Sequence, residues 1–566
     1  MAGMQVMGID LGTTNSVASL WQDGRAVLIP NQWGEVLTPS VVGVDEQGNI
    51  LIGRPAHDRL QSHPQLTQAS FKRYMGTDAP LSLGPQQFRA EELSALLLRQ
   101  LKQDAETWLG QPLTQAVITV PAYFNDVQRR AVKNAAQLAG LNVARLLNEP
   151  TAASLAFGLL ENREQKYLTF DLGGGTFDVS IIDMFEGVVE VRASSGDIRL
   201  GGDDFSWAIV QWMLNQHPEL KQVQQLLCAE LLAKAEVMKL ALSRESEAWA
   251  AIEWDNRQWR WSLTEAQLAD CCQMLLTRLQ RPVQRALHDA RFSLHDLDHI
   301  LLVGGATRMP LVRQTVARLF GRFPRHDLNP DEAIALGAAV QAGMVMADAA
   351  VEDIILTDVM PFSLGVEVAK RHVGQLESGF FLPLIERNTF LPVSKMETLN
   401  TVEDDQICVL LKIYQGEGRR VQDNVFLGEM KIEVPPRPAG EVMLDVRFTY
   451  TLDGLLEVEC SCKDNPTVSR IVIEKVPGQM SEEQIAVSLQ KLADLKLHPR
   501  SRQENRELLA RCSHLYECLL GDERRWADQF TTAFEQALES QDLSRIATVR
   551  EHIEQFLRQY EEKTIP

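Results

Sequence analysis

Two segments far apart in the chain share one layout, and this repetition constrains the fold more than any other feature. The first segment runs from Ile9 to Ser16 and the second from Phe170 to Asp178. Each ends an apolar run with a carboxylate, Asp10 or Asp171, and continues through glycine and threonine into a second β-rich run. Matched segments of this kind predict an internal repeat, with two equivalent halves that meet at the ends of their strands.

The residue types in the two segments point to phosphate binding. Glycine allows the backbone to approach a ligand closely, so consecutive backbone N–H groups can converge on phosphate oxygens. Threonine hydroxyls add donors, and aspartate carboxylates can hold a hydrated Mg²⁺ ion. Walker and Rossmann glycine motifs run from strand to helix, whereas both segments here run from strand to strand. The alternative, two ordinary hairpins whose glycines serve only the turns, does not explain the matched layout, which predicts two halves gripping one nucleotide phosphate tail.

A third glycine-rich segment, Ile300 to Pro310, joins an apolar strand to two glycines and an arginine. Gly304 and Gly305 would let a flat ring approach the backbone, and the guanidinium of Arg308 could stack on a purine. Taken alone, the segment is better explained as a strand–turn–helix junction with a surface arginine. It supports nucleotide binding only beside the other two segments.

Four stretches with different patterns divide the 566 residues. Residues 1–350 alternate β-rich runs with helical patterns, which is typical of an α/β domain. Residues 351–359 are a short apolar linker between acids, and residues 360–478 show only alternating β patterns, which predict a β-sandwich. Residues 479–566 have the spacing of amphipathic helices. We therefore expect a multidomain chain.

The charge balance excludes some partners. The chain has 56 Lys and Arg against 76 Asp and Glu, a net charge of −20. A body this acidic repels phosphate backbones and anionic lipid, so we expect no nucleic-acid and no membrane binding. No apolar run approaches the roughly 20 residues that cross a bilayer. The eight cysteines lack the spacing of a disulfide framework or a zinc site, which indicates a reducing, cytoplasmic location.

Seven motifs together resemble one family. They are IDLGTTNSV at Ile9, VPAYFNDVQRRA at Val120, LNEPTAASLAFG at Leu147, DLGGGTFDVSI at Asp171, GDIRLGGDDF at Gly196, VGGATRMP at Val303 and LNPDEAIALGAAVQAG at Leu328. With them the chain resembles the DnaK-type molecular chaperones of the heat shock protein 70 (Hsp70) family over essentially its whole length, and its C-terminal half resembles the short HscC-like branch. The resemblance implies an α/β actin-like ATPase domain of two pseudo-repeated lobes, then a peptide-binding β-sandwich and a small α-helical lid.

The resemblance also implies a site that binds ATP or ADP with Mg²⁺ and with K⁺. The residues implied for catalysis are Lys72, Glu149, Asp171, Thr176 and Asp10. Those implied for nucleotide binding are Gly12, Thr13, Thr14, Asn15, Gly173, Gly174, Gly175, Thr176, Gly201, Gly202, Glu236, Lys239, Ser243, Gly304, Gly305, Arg308 and Asp331. The implied metal-holding residues, acting mostly through water, are Asp10, Asp171 and Asp178. From spacing alone, Lys72 would be a solvated surface lysine, and Glu236 with Lys239 would be a helix salt pair.

The β-sandwich is expected to bind an extended apolar peptide through main-chain hydrogen bonds and one apolar pocket. The implied peptide-binding residues are Val366, Val368, Ala369, Leu399, Val402, Val409 and Leu411, with Val409 at the central pocket. From their pattern alone, these side chains would belong to the sandwich core. The residues implied for contact between domains or with a co-chaperone are Pro121, Arg129, Arg145, Asn148, Asp353 and Asp358.

The expected function is that of an ATP-dependent chaperone that captures extended hydrophobic segments of unfolded or specific client polypeptides. Slow ATP hydrolysis would time capture and release, a J-domain co-chaperone would stimulate it, and a nucleotide-exchange factor is a further candidate partner. Two other classes stay open: a small-molecule kinase of the actin-like superfamily, and a holdase or exchange-factor-like relative without hydrolysis. A kinase would have no use for the β-sandwich and the helical region, and a relative without hydrolysis would not need intact phosphate loops or Lys72.

Two features depart from the family pattern. Thr357 interrupts the leucine-rich linker that is usual in the family, so Ile354, Ile355 and Leu356 are expected to carry most of its docking. The stretch from Lys370 to Phe380 is expected to enlarge a loop beside the peptide cleft.

Overall fold

The computed structural model describes residues 5–158, 164–185, 187–325, 329–352, 354–372, 375–450, 456–462, 465–473, 503–518, 521–539, 549–555 and 557. Its elements follow the order that the sequence patterns predict: an α/β region, a β region and a helical region. Among these residues, no helix is both long enough and apolar enough to cross a bilayer.

The α/β region alternates strands and helices. Its strands are β1 (Val6–Asp10), β2 (Asn15–Gln22), β3 (Arg25–Ile29), β4 (Thr38–Pro39), β5 (Val41–Val44), β6 (Ile50–Ile52), β7 (Thr67–Ala69), β8 (Leu81–Leu83), β9 (Gln86–Phe88), β10 (Gln115–Val120), β11 (Asn142–Asn148), β12 (Gln165–Leu172), β13 (Phe177–Phe185), β14 (Val188–Asp197), β15 (Glu247–Trp254), β16 (Arg257–Thr264) and β17 (His299–Val303). Its helices are α1 (Arg54–His57), α2 (Ala90–Leu109), α3 (Asp126–Leu138), α4 (Glu149–Gly158), α5 (Gly202–Gln216), α6 (Gln224–Ala241), α7 (Glu265–Cys271), α8 (Gln273–Ala290), α9 (Pro310–Phe320) and α10 (Ala333–Val345).

The remaining elements follow the α/β region in the chain. The strands are β18 (Ile355–Thr357), β19 (Leu364–His372), β20 (Gln375–Ile385), β21 (Val393–Asn400), β22 (Cys408–Gln415), β23 (Val425–Glu433), β24 (Met443–Tyr450), β25 (Leu456–Cys462) and β26 (Asn465–Ile473). The helices are α11 (Gln503–Cys518) and α12 (Gly521–Glu539).

Two large sheets share an arrangement of four strands, β10-β1-β2-β3 in the first sheet and β17-β12-β13-β14 in the second. The first has the strand order β11-β10-β1-β2-β3, with β4 paired to β2, and the second has the order β17-β12-β13-β14-β18. In the first sheet β1 runs antiparallel to β2 and parallel to β10. In the second, β12 runs antiparallel to β13 and parallel to β17. The strands that end in the repeated carboxylates, β1 and β12, therefore hold the same position in two matching sheets.

Helix α10 lies against both α4 and the first sheet. It is rich in alanine and glycine, and most of its residues are buried, as the run of small side chains predicts. A Cβ added at Gly337 would lie 1.7 Å from the carbonyl oxygen of Ala152 on α4, and one added at Gly343 would lie 2.7 Å from the ring of Trp21. The small residues thus allow backbone-to-backbone contact, which fixes the spacing of the elements behind the phosphate loops.

The β region consists of two antiparallel four-stranded sheets, β20-β19-β22-β23 and β21-β24-β25-β26. The apolar residues that alternate along β24 and β25 are buried in one shared core, as the period-two pattern predicts. The members of that core on these two strands are Leu444, Val446, Phe448, Tyr450, Leu456, Val458, Cys460 and Cys462.

The expected loop from Lys370 to Phe380 is wrong, because β19 and β20 extend through most of it as a hairpin. Lys370 lies opposite Glu377 in the ladder, and Val368 lies opposite Phe380. Opposite charges and an aliphatic–aromatic pair directly across an antiparallel ladder favour strand over loop.

The linker contributes β18, which pairs in parallel with β14 and forms the edge of the second sheet. Successive side chains of a strand point to opposite faces. Leu356 is accordingly buried, whereas Ile355 is 58% exposed, and Ile354 packs partly against the same core. The expectation that all three side chains carry docking is therefore wrong for Ile355.

The described part of the helical region forms a small core of its own. Its buried members come from α11, α12 and residues 549–557, and they are Leu508, Cys512, Phe534, Ala537, Leu538, Ile553 and Leu557. The guanidinium of Arg511 on α11 lies 4.3 Å from the ring of Trp33, so α11 rests on the α/β region. Residues 479–502, where the predicted lid begins, lie outside the described residues.

Gly337→Ala tests the contact between α4 and α10. Alanine normally stabilises a helix relative to glycine by roughly 1 kcal/mol. Here we expect the opposite sign, a loss of about 1–3 kcal/mol, because the new Cβ would overlap the Ala152 carbonyl group. Calorimetric melting should show a lower transition temperature for the α/β region. A transition at or above the wild-type temperature would mean that the two helices have room between them.

Candidate nucleotide-binding site and domain interface

The two predicted phosphate loops face each other across the space between the sheets. A Cβ added at Gly174 would lie 1.9 Å from Oγ1 of Thr14, and one added at Gly175 would lie 2.8 Å from Cγ2 of Thr13. Any side chain at these two glycines would force the loops apart. The structure thus brings into contact two loops that the sequence separates widely.

Two further glycine turns pack onto the second loop. The N–H of Gly173 donates to the carbonyl oxygen of Thr176 at 3.1 Å, and the N–H of Gly202 donates to that of Gly173 at 2.9 Å. Gly304 has a φ of +80°, and a Cβ there would lie 2.4 Å from the carbonyl oxygen of Leu172. Three other predicted glycines are also confined. A Cβ added at Gly12 would lie 2.0 Å from the carbonyl oxygen of Asn15, and one added at Gly201 would lie 2.4 Å from that of Gly174. A Cβ added at Gly305 would lie 3.0 Å from Oδ1 of Asp331.

Four buried carboxylates lie near the loops, those of Asp10, Glu149, Asp171 and Asp178. The hydroxyl of Thr119 donates to Oδ1 of Asp10, and the backbone N–H of Tyr123 donates to Oδ1 of Asp178, each at 3.0 Å. Within the described structure, Oδ2 of Asp171 is buried without a hydrogen-bond partner. A buried carboxylate oxygen without a partner could bind a cation, or could accept a hydrogen bond from a water molecule bound to a cation.

Burial and repulsion from neighbouring acids raise the pKa of the three aspartates. The pKa of Asp10 rises to about 7, first through loss of water and then through repulsion from Glu149, while Lys72 opposes the shift. The pKa of Asp178 also rises to about 7, for the same two leading causes. Burial, followed by repulsion from the other three acids, raises the pKa of Asp171 well above its usual value. The site thus carries more negative charge than Lys72 balances.

Lys72 lies on a short 3₁₀ turn, Phe71–Tyr74, that places it inside the cleft. Its Nζ donates to Oε1 of Glu149 at 2.7 Å, and both side chains are almost fully buried. The Nζ also lies 5.7 Å from the ring centre of Phe124. Removing either partner of such a pair would leave a buried charge unpaired. The sequence alone would have made Lys72 a surface lysine, and only the resemblance identified it.

The residues present fit a magnesium ion bound together with a nucleotide. Mg²⁺ prefers oxygen ligands and usually keeps several of its waters. Among the described residues, no three His, Cys, Asp or Glu side chains lie close enough together to hold a metal ion directly. Asp10, Asp171 and Asp178 would therefore act mostly through water, and the unpartnered Oδ2 of Asp171 leaves an acceptor for such a water.

A polar cluster ties α6 to the turn that begins α5. The Nζ of Lys239 donates to Oε2 of Glu236 at 2.6 Å and to the carbonyl oxygen of Gly202 at 3.0 Å. The hydroxyl of Ser206 donates to the same Glu236 oxygen at 2.6 Å. Ser243, the third residue predicted on this helix face, lies half-buried just beyond its end. Glu236 and Lys239 are thus more than a helix salt pair, because they anchor a glycine turn of the candidate site.

Arg308 is oriented by two acceptors. Its Nη2 donates to Oδ2 of Asp331 at 2.6 Å and to Oδ1 of Asn329 at 2.5 Å. Half of the side chain remains exposed. The guanidinium plane is therefore held beside Gly304 and Gly305, in an arrangement that could stack on a flat ring.

Sequence reasoning missed the side chains that bridge the two halves. The Nη2 of Arg73 donates to Asp204 at 3.1 Å, and the hydroxyl of Ser70 donates to Oδ2 of Asp203 at 2.7 Å. Both acids lie in the first turn of α5, where acidic residues are common because they interact favourably with the helix dipole. Because the helix dipole already explains these acids, the sequence gives no sign that they also bridge to residues 70–73. No rule of residue spacing connects the two segments.

Four of the six predicted interdomain residues, Arg129, Arg145, Asn148 and Asp358, line one crevice. Nδ2 of Asn148 donates to Oδ2 of Asp358 at 2.6 Å, and Oδ1 of Asn148 accepts from Nη2 of Arg129 at 2.7 Å. Pro121 is buried directly after β10. Asp353 lies outside the described residues. The linker acid Asp358 is therefore connected through Asn148 to α3.

Asp358 lies in a basic crevice. Burial raises the pKa of its carboxyl group, and the positive charges of Arg129 and Arg145 oppose that shift. Arg145 lines the same crevice. The linker carboxylate is thus held by the backbone N–H of Val359 in its own segment, which donates to Oδ1 at 2.8 Å, by Asn148, and by the nearby positive charges of the α/β region.

A second contact between the regions was not predicted. Nε of Arg387 donates to Oδ2 of Asp289 at 2.8 Å, and its Nη2 donates to Oδ1 at 3.1 Å. Nδ2 of Asn388 donates to the same carboxylate at 2.9 Å. A bidentate arginine–carboxylate pair fixes orientation as well as distance. Its two partners are too far apart in the chain for any local pattern to reveal them.

The residues predicted to bind peptide lie on or beside β19, β21 and β22. Two are buried in the core of the β region, namely Val366 and Leu411. The others are partly buried against that core or reach solvent, namely Val368, Ala369, Leu399, Val402 and Val409. Side chains of this second group are not fully enclosed by the core.

Asp171→Asn tests the crowding of the carboxylates. In protein free of nucleotide and divalent cations, at an alkaline pH that favours the ionised form of Asp171, we expect a melting temperature a few degrees above wild type, as roughly 1 kcal/mol of relieved repulsion would give. Differential scanning calorimetry measures it.

Asp183→Asn is the matched control for Asp171→Asn. Asp183 forms an ion pair with Arg192 on the neighbouring strand, at 3.1 Å. Replacing Asp183 should therefore lower stability instead. A melting temperature at or below wild type for Asp171→Asn would contradict the repulsion argument.

Comparison with known proteins finds one family model and several similar chaperone proteins. The family model described as "Hsp70 protein" matches residues 6–83 and 79–565. The chaperone protein DnaK of Thermotoga neapolitana is 42% identical over 476 residues, covering 81% of this chain and 78% of that protein. The chaperone protein DnaK 1 of Synechococcus sp. is 40% identical over 543 residues, covering 90% and 70%. The chaperone protein DnaK of Halobacterium salinarum is 40% identical over 498 residues, covering 86% and 77%.

These matches extend over most of the chain, far beyond the two glycine loops. They confirm the family that the seven motifs indicate, while the HscC-like branch stays a prediction. They also support the ATPase assignment, because proteins of this family bind nucleotide and hydrolyse ATP. On this evidence the chain belongs to the Hsp70 family of molecular chaperones.

Proposed function

We propose that the chain is an ATP-dependent chaperone in which slow ATP hydrolysis times the capture and release of extended apolar segments of client polypeptides. The observation that carries the proposal is the place of β18. This linker strand is the edge of the sheet whose strand β12 contains Asp171. Paired strands β12, β13, β14 and β18 therefore connect the phosphate end of the site to the linker, and nucleotide state would alter how firmly β18 is held.

Hydrolysis at this site would need positioned groups rather than covalent chemistry. The N–H groups of the two glycine loops and the hydroxyls of Thr13 and Thr176 would donate to phosphate oxygens. Lys72 would place its charge beside the transferring phosphate, and Glu149 would fix Lys72 and orient the attacking water. A magnesium ion, when bound, neutralises phosphate charge, and K⁺ is a further proposed ion at the same carboxylates.

Lys72→Ala tests the catalytic role. We expect nucleotide binding to remain within a few-fold of wild type and single-turnover hydrolysis to slow at least about tenfold, since one charge at the transferring phosphate contributes upward of about 1.4 kcal/mol. Calorimetric titration with ATP and rapid-quench hydrolysis give the two values.

Two comparisons separate catalysis from folding in the Lys72→Ala experiment. Lys102→Ala removes a lysine that donates to the Gly140 carbonyl oxygen on the far side of α2 and should change neither value. The double variant Lys72→Ala/Glu149→Gln also removes the carboxylate that would be left unpaired. Wild-type hydrolysis in a folded Lys72→Ala protein would show that the assigned role is wrong.

Peptide capture is assigned to the β region. A peptide bound as an extended segment would gain main-chain hydrogen bonds and place one side chain in an apolar pocket, a mode that accepts many sequences. Val409 and Leu399 are partly buried beside the fully buried Leu411, so they line the boundary between core and solvent. That boundary is where a pocket of this kind would lie.

Val409→Phe tests the pocket. A phenyl ring should fill it and reduce the affinity of an extended apolar peptide at least about tenfold, since overpacking costs roughly 1–3 kcal/mol. Fluorescence anisotropy of a labelled peptide measures the affinity. Leu410→Phe is the control, because Leu410 is the next residue on β22, points to the opposite face and is exposed. Equal peptide affinity in the two folded variants would return Val409 to a purely structural role.

A J-domain co-chaperone is proposed to act at the crevice of Arg145, Asn148 and Asp358, with a nucleotide-exchange factor as a further partner and the cytoplasm as location. ATP turnover with and without a J-domain protein tests this part of the proposal. Stimulated turnover supports it, absent turnover would favour a holdase, and turnover that depends on a small phosphate acceptor would favour a kinase.

A further inference from the structure

The first turn of α3 enters the β region. Val127 packs within the same apolar core as the strands of the β-sandwich, although it belongs to the α/β region. Asp126, the first residue of α3, is only 2% exposed. Its backbone N–H donates to Oε1 of Gln415 at 3.0 Å, and its Oδ1 accepts from the hydroxyl of Tyr450 at 2.6 Å. A helix end of one region is thus held by side chains from both sheets of the other.

The position of Asp126 is fixed before the two regions meet. Asn125 caps α3 by accepting from the N–H of Gln128 at 2.9 Å, and the Gln128 side chain accepts from the N–H of Asn125 in return. This capping box sets the first helical turn. A carboxylate in that turn is favoured by the helix dipole. Tyr450 is equally fixed, because it is the last residue of β24 and only 3% exposed.

We propose that the hydrogen bond from Tyr450 to Asp126 is a latch that docks the β region on the α/β region in a single register. Tyr450 is then a positioning residue that couples the nucleotide site to peptide release, and in this respect the inference rests on the proposed function. The latch lines the same crevice as Asp358, but Asp358 and the Arg387–Asp289 pair each have their own hydrogen-bond partners, so removing the Tyr450 hydroxyl breaks neither contact.

The energetics favour a strong dependence on the hydroxyl. A hydrogen bond to a carboxylate is shorter and stronger than one between neutral groups. Oδ2 of Asp126 is buried and has no hydrogen-bond partner in the described structure. Loss of the Tyr450 hydroxyl would therefore leave a buried carboxyl group without its side-chain donor, which costs more than the bond itself contributes. When the regions separate, water satisfies both groups, so the loss falls on the docked state.

The charged surroundings make docking sensitive to protons. Burial raises the pKa of Asp126, and the Tyr450 hydrogen bond and the cations on α3 oppose the shift. A carboxyl group with a raised pKa in the docked state binds a proton on docking, so docking is favoured below that pKa and weakens as pH rises through it. The titratable and charged groups that face Asp126 or line its crevice are Tyr450, Arg129, Arg130, Lys133, Arg145 and Asp358.

Hydrogen–deuterium exchange of the linker measures docking directly. The N–H of Ile355 donates to the carbonyl oxygen of Gly187 at 3.0 Å only while β18 is paired, so its protection reports the docked fraction. With the full chain and ATP, we expect Tyr450→Phe to reduce protection about tenfold or more, as loss of a hydrogen bond to a charged group predicts. Tyr414→Phe is the matched control, because it removes a hydroxyl from β22 that makes no hydrogen bond to the α/β region within the described structure.

A second variant separates the latch from a general packing effect. Asp126→Asn keeps an oxygen acceptor for Tyr450 but cannot titrate. After correction for intrinsic exchange, wild-type protection should fall as pH rises above the ordinary range of an aspartate, and Asp126→Asn should flatten that dependence. If Tyr450→Phe and Tyr414→Phe protect the linker equally and Asp126→Asn keeps the wild-type pH profile, the latch is refuted.

The proposed function fails in a different way. If wild type neither binds nor hydrolyses ATP, the chaperone cycle is wrong, whereas the latch is still decided by linker exchange in the nucleotide-free variants. If wild type and Tyr450→Phe hydrolyse ATP equally and only linker protection differs, both proposals are supported. Calorimetry of each variant verifies that the β region remains folded.

Discussion

Excess negative charge between the two glycine loops is the interaction on which the α/β region depends. Four buried carboxyl groups lie close enough to repel one another, those of Asp10, Glu149, Asp171 and Asp178. The positive charge of Lys72 compensates only part of this repulsion. Such an arrangement is unfavourable in isolation and is tolerated because backbone N–H groups, Thr119 and Lys72 hold the acids in place. It becomes favourable when a cation and its nucleotide arrive together, since charge and ligand then enter as one neutralised unit. The glycine loops, the α4–α10 contact and the bridges across the cleft all serve to keep this geometry.

The elements that depend on local chemistry could be predicted from the sequence. The matched segments gave the two equivalent sheets, because a carboxylate followed by glycine and threonine has the same local consequence wherever it occurs. The cap at Asn125 and the small residues of α10 are signals of the same local kind, since each lies within one or two helical turns. Period-two alternation gave the β-sandwich and its core.

The remaining features required partners that the chain brings together from a distance. Arg73 with Asp204, Arg387 with Asp289, and Tyr450 with Asp126 each join residues from different elements, and each looks like an ordinary surface or core residue in its own segment. The hairpin from Lys370 to Phe380 was mistaken for a loop for a related reason. Its strand character comes from pairing across the ladder rather than from its own composition. The predicted peptide-binding residues are ambiguous in the same way, because the rim of an apolar pocket and the edge of an apolar core contain the same types of residue.

The place of β18 has a further consequence for the chain's own solubility. When the linker leaves the sheet, β14 becomes an edge strand, and the backbone groups of Val188, Val189 and Glu190 lose their partners. Unpaired edges of this kind invite pairing with a strand from another molecule. The exposed stretch is short, and Arg192 forms ion pairs with Glu190 and Asp183 beside it, which places charge where a foreign strand would have to dock. The chain is proposed to shield aggregation-prone segments of other proteins. At that step of its cycle it must also protect the exposed edge of its own strand β14.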